Sequence, residues 1–180
     1  MPRLSSPTLL PRASGAPAPC AWEPALTQLR ALPRPDLDRL VLRWLRALGL
    51  HAPRVMARES GPACYRAFLG DHPLCVPVEV RLYQRKSRLQ VHHIESFVGS
   101  LHGQKVGIGL LISTGGFTPD ARVAAQSCRT PILRLSSGEE WAAELAALHV
   151  GLRRRSLWRW LLELPIVIKR RSDRTGRRAL

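Results

Sequence analysis

The sequence lacks the patterns of several protein classes. No apolar run reaches the roughly 18 residues that a membrane span needs, and the N-terminus has no continuous apolar segment typical of a signal peptide. The cysteines form no CxxC pair, which disfavours a zinc site. Because nothing indicates secretion, we expect a cytoplasmic protein with reduced, mostly buried thiols at Cys20, Cys64, Cys75 and Cys128.

Acidic residues are also scarce. The chain has 13 Asp and Glu against 28 Lys and Arg, a formal net charge of +15. This balance favours a polyanionic partner, nucleic acid first and an acidic membrane surface second. Lys86, Lys105 and Lys169 are the only lysines. Arginine suits bidentate phosphate contacts, although a GC-rich genome would produce the same bias.

The chain divides into a folded centre and two basic ends. Residues 1–22 are rich in Pro, Ala, Ser and Arg, which predicts a flexible leader. Residues 23–152 are expected to form one domain, since 45% of the chain is hydrophobic. Residues 153–180 open with Arg153, Arg154 and Arg155, followed by a predicted short apolar helix around 158–162 and a basic tail.

Periodicity within the centre predicts strands alternating with helices. A helix over 33–50, with Asp36 as its N-cap and Gly49 as its stop, precedes a hairpin of strands at 64–69 and 74–83. A helix at 90–101, a buried strand at 106–113, and a helix at 121–127 with Thr118 as its cap come next. A strand at 131–135 and a helix from 137 to about 150 complete the pattern. We therefore predict an α/β fold: a mixed central sheet that begins with a β-hairpin and is flanked by helices on both faces.

One strand carries an acid and a base two residues apart. Side chains alternate along a strand, so Glu79 and Arg81 share one face, whereas Val78, Val80 and Leu82 share the other. Such a pair fits a metal-and-phosphate site, and it equally fits an ordinary solvated strand face. The spacing alone leaves both interpretations open.

Several motifs together resemble the catalytic domain of Mrr-type restriction endonucleases, members of the PD-(D/E)XK nuclease superfamily. The resemblance covers about residues 32–152 and implies a restriction-endonuclease-like core. LISTGGFTPDA at 111–121 is the most specific of its motifs. The others are DLDRLV at 36–41, LGL at 48–50, VEVRLY at 78–83, FVGSL at 97–101 and LSSGEEW at 135–141.

The resemblance implies Mg²⁺-dependent hydrolysis of phosphodiester bonds in DNA, without a small-molecule cofactor. Glu79 falls on the position of a metal-binding Gln or Glu, Arg81 on that of a catalytic Lys, and Asp38 on that of an accessory acid. The family's catalytic Asp falls on Tyr65 or Arg66, and neither is a ligand for a hard metal ion. We therefore expect cleavage to be weakened or lost, unless a loop shift brings Asp71 or Lys86 to the site.

The same resemblance implies DNA as the partner. Arg85, Lys86 and Arg88 follow the strand of Glu79 and are predicted to line the phosphate path, together with Arg153, Arg154 and Arg155 of the basic C-terminal segment. A homodimer is compatible with the family, because such nucleases often use two sites to cut both strands. The alternative is a non-enzymatic scaffold or membrane-surface module that uses the basic C-terminal segment.

Overall fold

The computed structural model describes residues 22–56, 61–70, 75–156 and 159–162, with side chains described up to residue 151. The elements in chain order are α1 (Glu23–Ala31), α2 (Arg34–Ala47), β1 (His51–Val55), β2 (Ala63–Leu69), β3 (Val76–Tyr83), α3 (Val91–Gly103), β4 (Ile108–Ser113), α4 (Pro119–Ser127), β5 (Ile132–Ser137), α5 (Gly138–Ala147), β6 (Leu152–Ser156) and β7 (Arg159–Leu162). No helix among these residues is long and apolar enough to cross a membrane.

A five-stranded sheet runs in the order β1-β2-β3-β4-β5. The pairs β1–β2 and β2–β3 are antiparallel, and β3–β4 and β4–β5 are parallel. The predicted mixed sheet with an opening hairpin is therefore confirmed. The two strands predicted at 64–69 and 74–83 pair Leu69 with Val76 and Arg66 with Glu79.

One face of the sheet carries the larger hydrophobic core, which we call the apolar face. Val78, Val80 and Leu82 project from β3 into it and pack against side chains of α1, α2 and α5. Trp44 of α2 and Trp141 of α5 meet edge to face, with ring centroids 6.0 Å apart. Burial of this face therefore accounts for most of the hydrophobic stabilisation of the domain.

The opposite face, which we call the arginine face, carries a smaller core under α3 and α4. Ile94, Phe97 and Leu101 of α3 are buried there. The close approach of α3 requires Gly109 on β4, because a Cβ at that position would lie 2.5 Å from Leu101 Cδ1 and 2.9 Å from Phe97 Cε1. The predicted helices on both faces are therefore present, and β4 is a strand covered on both sides.

Most helix boundaries follow the expected signals. Gly49 has φ +79°, as a glycine that ends a helix should. Thr118 Oγ1 accepts the Ala121 N–H at 3.3 Å, and Ser137 Oγ accepts the Glu140 N–H at 3.3 Å. The predictions of Thr118 as a cap and of the start of α5 are confirmed.

One helix was missed and two local predictions are wrong. Helix α1 was not predicted, although Trp22 before it is buried. Helix α2 starts at Arg34 after Pro33, so Asp36 lies in the first turn, where it forms an ion pair with Arg39 at 3.0 Å, and does not cap the helix. Residues 159–162 form a strand where a helix was expected, because they pair with β6 and four residues alone make a marginal helix.

Candidate functional site

The arginine face carries a row of side chains that crosses four strands. Residues paired across a sheet point to the same side. Arg54 on β1 pairs with Arg66 on β2, which pairs with Glu79 on β3. Glu79 in turn pairs with Gly109 on β4. The row therefore places two arginines and one carboxylate side by side near the middle of the sheet.

Glu79 lies at the centre of this row. It is only 3% exposed, so the interpretation as a solvated strand face is wrong. Arg66 Nη2 lies 3.5 Å from Glu79 Oε2, and Arg81 Nε lies 3.3 Å from Oε1. The guanidiniums of Arg66 and Arg81 thus hold one buried carboxylate between them. We call these three residues the arginine–glutamate triad.

Neighbouring residues fix the two guanidiniums. The Arg81 guanidinium carbon lies 4.9 Å from the centroid of the Phe97 ring, within the range of a cation–π contact. Arg66 also hydrogen-bonds to Gln104 Oε1 after α3. Burial raises the pKa of the next side chain on this face, Tyr83, and the positive charge of Arg81 partly offsets that rise.

Asp38 and Tyr65 lie on the apolar face. The Tyr65 hydroxyl donates to Asp38 Oδ1 at 2.8 Å. Tyr65 is buried in the larger core, and its strand partner is Val80. Of the two residues that the predicted hairpin left open opposite Glu79, the structure therefore selects Arg66 over Tyr65. The structure brings Glu79 and Arg81 together on the arginine face, whereas Asp38 lies on the opposite, apolar face.

The residues of the triad do not fit a divalent metal ion. A hard cation binds several oxygen ligands, whereas this site offers one carboxylate already paired with two cations. In the part of the chain that the structure describes, no cluster of three or more His, Cys, Asp or Glu side chains could hold a metal. Asp71, one of the two residues that a loop shift would have to bring to the site, lies outside the described residues.

The segment after β3 is a basic loop, residues 84–90, that leads into α3. Arg85, Lys86 and Arg88 are exposed in it. The Arg85 N–H donates to Thr114 Oγ1 at 3.0 Å, and the Thr114 N–H donates to the Tyr83 carbonyl at 3.1 Å. Thr114 follows β4 and is buried. The backbone of the basic loop is therefore held against the turn between β4 and α4.

Gly115 allows the basic loop and the turn after β4 to approach each other closely. A Cβ on Gly115 would lie 2.4 to 2.7 Å from the carbonyl oxygens of Ser87, Lys86 and Arg85. Further along, the Leu89 N–H donates to the Gly116 carbonyl at 3.0 Å, and Leu89 forms a parallel bridge with Phe117. The STGGF part of the 111–121 motif thus fixes the loop that carries the predicted phosphate contacts, a role that sequence reasoning missed.

The start of α3 also contacts the basic loop. His93 Nδ1 accepts the Gln90 N–H at 3.3 Å, and Arg85 Nη1 lies 3.1 Å from His93 Nε2. Burial, followed by the nearby charges of His92 and Arg85, lowers the pKa of His93. The contact with α3 places the Arg85 guanidinium on the arginine face.

The remaining predicted arginines lie on a separate small hairpin. Arg153, Arg154 and Arg155 belong to β6, which pairs with β7. Their side chains are outside the described residues, so their predicted contact with phosphate stays a prediction.

Comparisons with known proteins agree with this fold. Residues 29–145 match the family model for the Mrr catalytic domain, described as restriction endonuclease. MspJI restriction endonuclease, solved in complex with a 27-mer oligonucleotide, has a similar fold, with 21% identity and a TM-score of 0.52 over 82% of this chain and 36% of that chain. The DNA modification-dependent restriction endonuclease AspBHI also has a similar fold, with 17% identity and a TM-score of 0.55 over 83% of this chain and 41% of that chain.

This chain therefore spans less than half the length of either solved enzyme. A search of curated proteins found no match. The two structural neighbours support the fold of the central sheet and its helices. Since the family match extends over residues 29–145, well over half of the sequence, the chain belongs to the Mrr catalytic-domain family of restriction endonucleases.

Proposed function

We propose that this chain binds DNA through its restriction-endonuclease fold and that its own cleavage activity is weakened or lost. The observation that carries the proposal is the triad, in which Arg66 and Arg81 hold the Glu79 carboxylate at 3.5 and 3.3 Å. Domains of this family are generally metal-dependent. In this chain, Arg66 places a positive charge where the chemistry of the family requires an oxygen ligand for a metal ion.

Two departures from the family pattern act in the same direction. Arg66 replaces an oxygen ligand with a cation that repels a metal ion. Arg81 keeps a positive charge but is never deprotonated, so it cannot act as a base toward water. Loss of one stabilising donor at a reaction centre costs about 10² to 10³ in rate. We therefore expect metal-dependent cleavage at least about 10²-fold slower than that of a site with all its ligands.

Charge and shape support DNA as the partner. The net charge of +15 favours a polyanion. Arg85, Lys86 and Arg88 are exposed on a loop whose backbone is fixed by Thr114 and Gly115. A fixed loop loses little conformational entropy on binding, which favours affinity. The family's homodimer stays a prediction, and so does the membrane-surface alternative, because the side chains of its basic C-terminal segment lie outside the described residues.

A plasmid-cleavage assay with Mg²⁺ or Mn²⁺ tests the catalytic part, using methylated and unmethylated DNA. We expect no cleavage above background by the wild type or by Glu79→Ala. The double variant Arg66→Asp, Arg81→Lys restores an acid opposite Glu79 and the family's lysine, so it should gain metal-dependent nicking. Cleavage by the wild type that disappears in Glu79→Ala would contradict the proposal.

Fluorescence anisotropy with duplex DNA at several salt concentrations tests the binding part. The affinity of the wild type should fall steeply with salt. Replacing Lys86 or Arg88 with Gln should weaken binding to all sequences and lower the salt slope by about 1 each. Arg39→Gln is a matched control, because Arg39 is exposed on α2 and belongs to the apolar side of the sheet.

A further inference from the structure

We infer that the arginine–glutamate triad binds a backbone phosphate of DNA directly, without a metal ion. This inference rests on the proposed function, since it requires that the chain bind DNA. It assigns a ligand to the residues that do not fit a divalent cation. The guanidiniums of Arg66 and Arg81 supply the positive charge that a metal ion would otherwise bring to the phosphate.

The charges of the triad favour an anion. Two guanidiniums face one carboxylate, so the group carries one net positive charge, and Arg54 stands beside Arg66 in the same row. A buried set of charges with an excess of one sign is costly unless an opposite charge completes it. A phosphate oxygen is the acceptor that DNA offers for this purpose.

The hydrogen bonds of the triad leave donors available. The nitrogen–oxygen distances of 3.3 and 3.5 Å to Glu79 exceed the usual 2.7 to 3.2 Å of N–H···O bonds. Arg66 Nε is buried and has no hydrogen-bond partner among the described residues. Each guanidinium carries five N–H donors in a planar fork that matches the oxygens of a phosphate.

The triad is accessible from one side. The side chains of Arg66 and Arg81 are 18% and 15% exposed, whereas that of Glu79 is only 4% exposed. Arg54 and Gln104, which adjoin Arg66, are both exposed. An incoming phosphate therefore meets the guanidiniums before it meets the carboxylate.

The triad and the exposed cations of the basic loop are close to each other. From Glu79 to Tyr83 at the end of β3 is about 13 Å, at roughly 3.3 Å per residue. The exposed residues Arg85, Lys86 and Arg88 follow at once, and Arg85 lies on the same face through its contact with His93. A DNA duplex carries phosphates on each strand at about 3.4 Å intervals along its axis, so one short duplex is long enough to contact both the triad and the basic loop.

The experiment measures duplex DNA affinity by fluorescence anisotropy in EDTA over a series of salt concentrations, and again with Mg²⁺. We expect the affinity in EDTA to be at least as high as with Mg²⁺, because Mg²⁺ binds to DNA as a counterion and competes with the arginines of the protein. Arg66→Gln should weaken binding about tenfold, the loss of one charge-assisted hydrogen bond, and lower the salt slope by about 0.9. Arg66→Lys should recover part of the affinity, and Arg39→Gln should match the wild type.

Glu79→Gln separates a phosphate site from a purely internal ion pair. The carboxylate competes with phosphate for the same guanidinium donors, so its removal should strengthen metal-free binding several-fold. An internal ion pair with no ligand would give only the small gain that the loss of any negative charge from a DNA-binding protein produces. Thermal denaturation shows which variants are folded, and if Arg66→Gln is not, Glu79→Gln decides alone.

The outcomes distinguish this inference from the proposed function. If the wild type does not bind DNA at low salt, both fail. If it binds but Glu79→Gln and folded Arg66→Gln behave like Arg39→Gln, only the phosphate site is wrong. Loss of binding in EDTA would also overturn the metal-free site while leaving DNA binding intact.

Discussion

Helices cover both faces of the central sheet, but the buried side chains of the two faces differ in chemistry. Val80 on the apolar face is fully buried, and Glu79, its neighbour on β3, is only 3% exposed on the arginine face. Val80 lies among aliphatic and aromatic side chains, whereas Glu79 lies between two guanidiniums. Burial alone therefore does not mark a functional site, and the chemistry of the buried neighbours does.

The difference teaches how one strand can provide both stability and a site. Because side chains alternate, β3 directs its apolar residues to one core and its charged residues to the other. Changes on the apolar face should lower stability without altering DNA affinity per folded molecule. Changes on the arginine face should alter both.

The largest effect should come from Trp141→Ala on the apolar face. The ring is fully buried against Trp44, so its loss should lower the free energy of unfolding by about 3 to 5 kcal/mol. Trp141→Phe is the matched control. It keeps a ring and removes an indole N–H that has no partner among the described residues, so it should cost much less. Urea denaturation measures the free energy of unfolding of both variants. Equal losses would show that ring packing is not the source of the stabilisation.

The second-largest effect is expected for Gly115→Ala, at the contact between the basic loop and the turn after β4. The added methyl group would lie within 2.7 Å of three carbonyl oxygens, so the loop must shift at a cost of about 1 to 3 kcal/mol. Unlike Trp141→Ala, this variant should also weaken DNA binding in its folded fraction. Gly99→Ala is the control, since a Cβ there meets nothing within 4 Å. Unchanged DNA affinity in folded Gly115→Ala would separate the loop from binding.

A smaller loss of stability is expected for Glu79→Gln. The amide keeps one acceptor oxygen but leaves two partly buried guanidiniums without their counter-charge, which should cost about 1 to 2 kcal/mol. DNA should restore this loss, because its phosphate replaces the carboxylate. Thermal denaturation with and without a DNA duplex measures the effect. A variant as stable as the wild type without DNA would mean that the triad adds nothing to folding.

The smallest effect should be a pH dependence at His93. Its pKa is lowered from 6.5, so the folded state prefers the neutral ring. Its contribution to stability is therefore complete above pH 6.5 and is lost as the pH falls through the lower pKa of the folded state. Thermal denaturation at about pH 8 and about pH 5 should show a smaller acid-induced loss in His93→Gln than in the wild type. Identical losses would show that His93 does not couple the start of α3 to pH.

Much of the fold could be predicted because its signals are local. Thr118 before Pro119 and Ser137 before two acids mark helix starts without any tertiary information. The turn between the two strands predicted the hairpin register to within one residue, which left Tyr65 and Arg66 open opposite Glu79. Helix α1 was missed because its nine residues carry only three buried apolar side chains, Ala25, Leu26 and Leu29.

The site was less predictable, because it depends on which face of the sheet is covered. Spacing places Glu79 and Arg81 together but does not tell whether helices cover them. The resemblance suggested Asp38 as an accessory acid, and only the packing of α2 on the apolar face shows that it bonds with Tyr65. Gln104 and Phe97 are distant in sequence from the residues they orient, and although Phe97 opens the FVGSL motif, nothing in the sequence linked it to Arg81.

The parallel bridge between Leu89 and Phe117 has a consequence for protein engineering. Together with Thr114 and Gly115, it makes the basic loop and the turn after β4 one interlocked unit built from two separate segments. A chimera that exchanges residues 84–90 alone would pack a foreign loop against a turn after β4 that does not match it. Exchanging 84–90 together with 114–118 should transfer the loop in its own shape, so the two segments are the unit to exchange between members of this family.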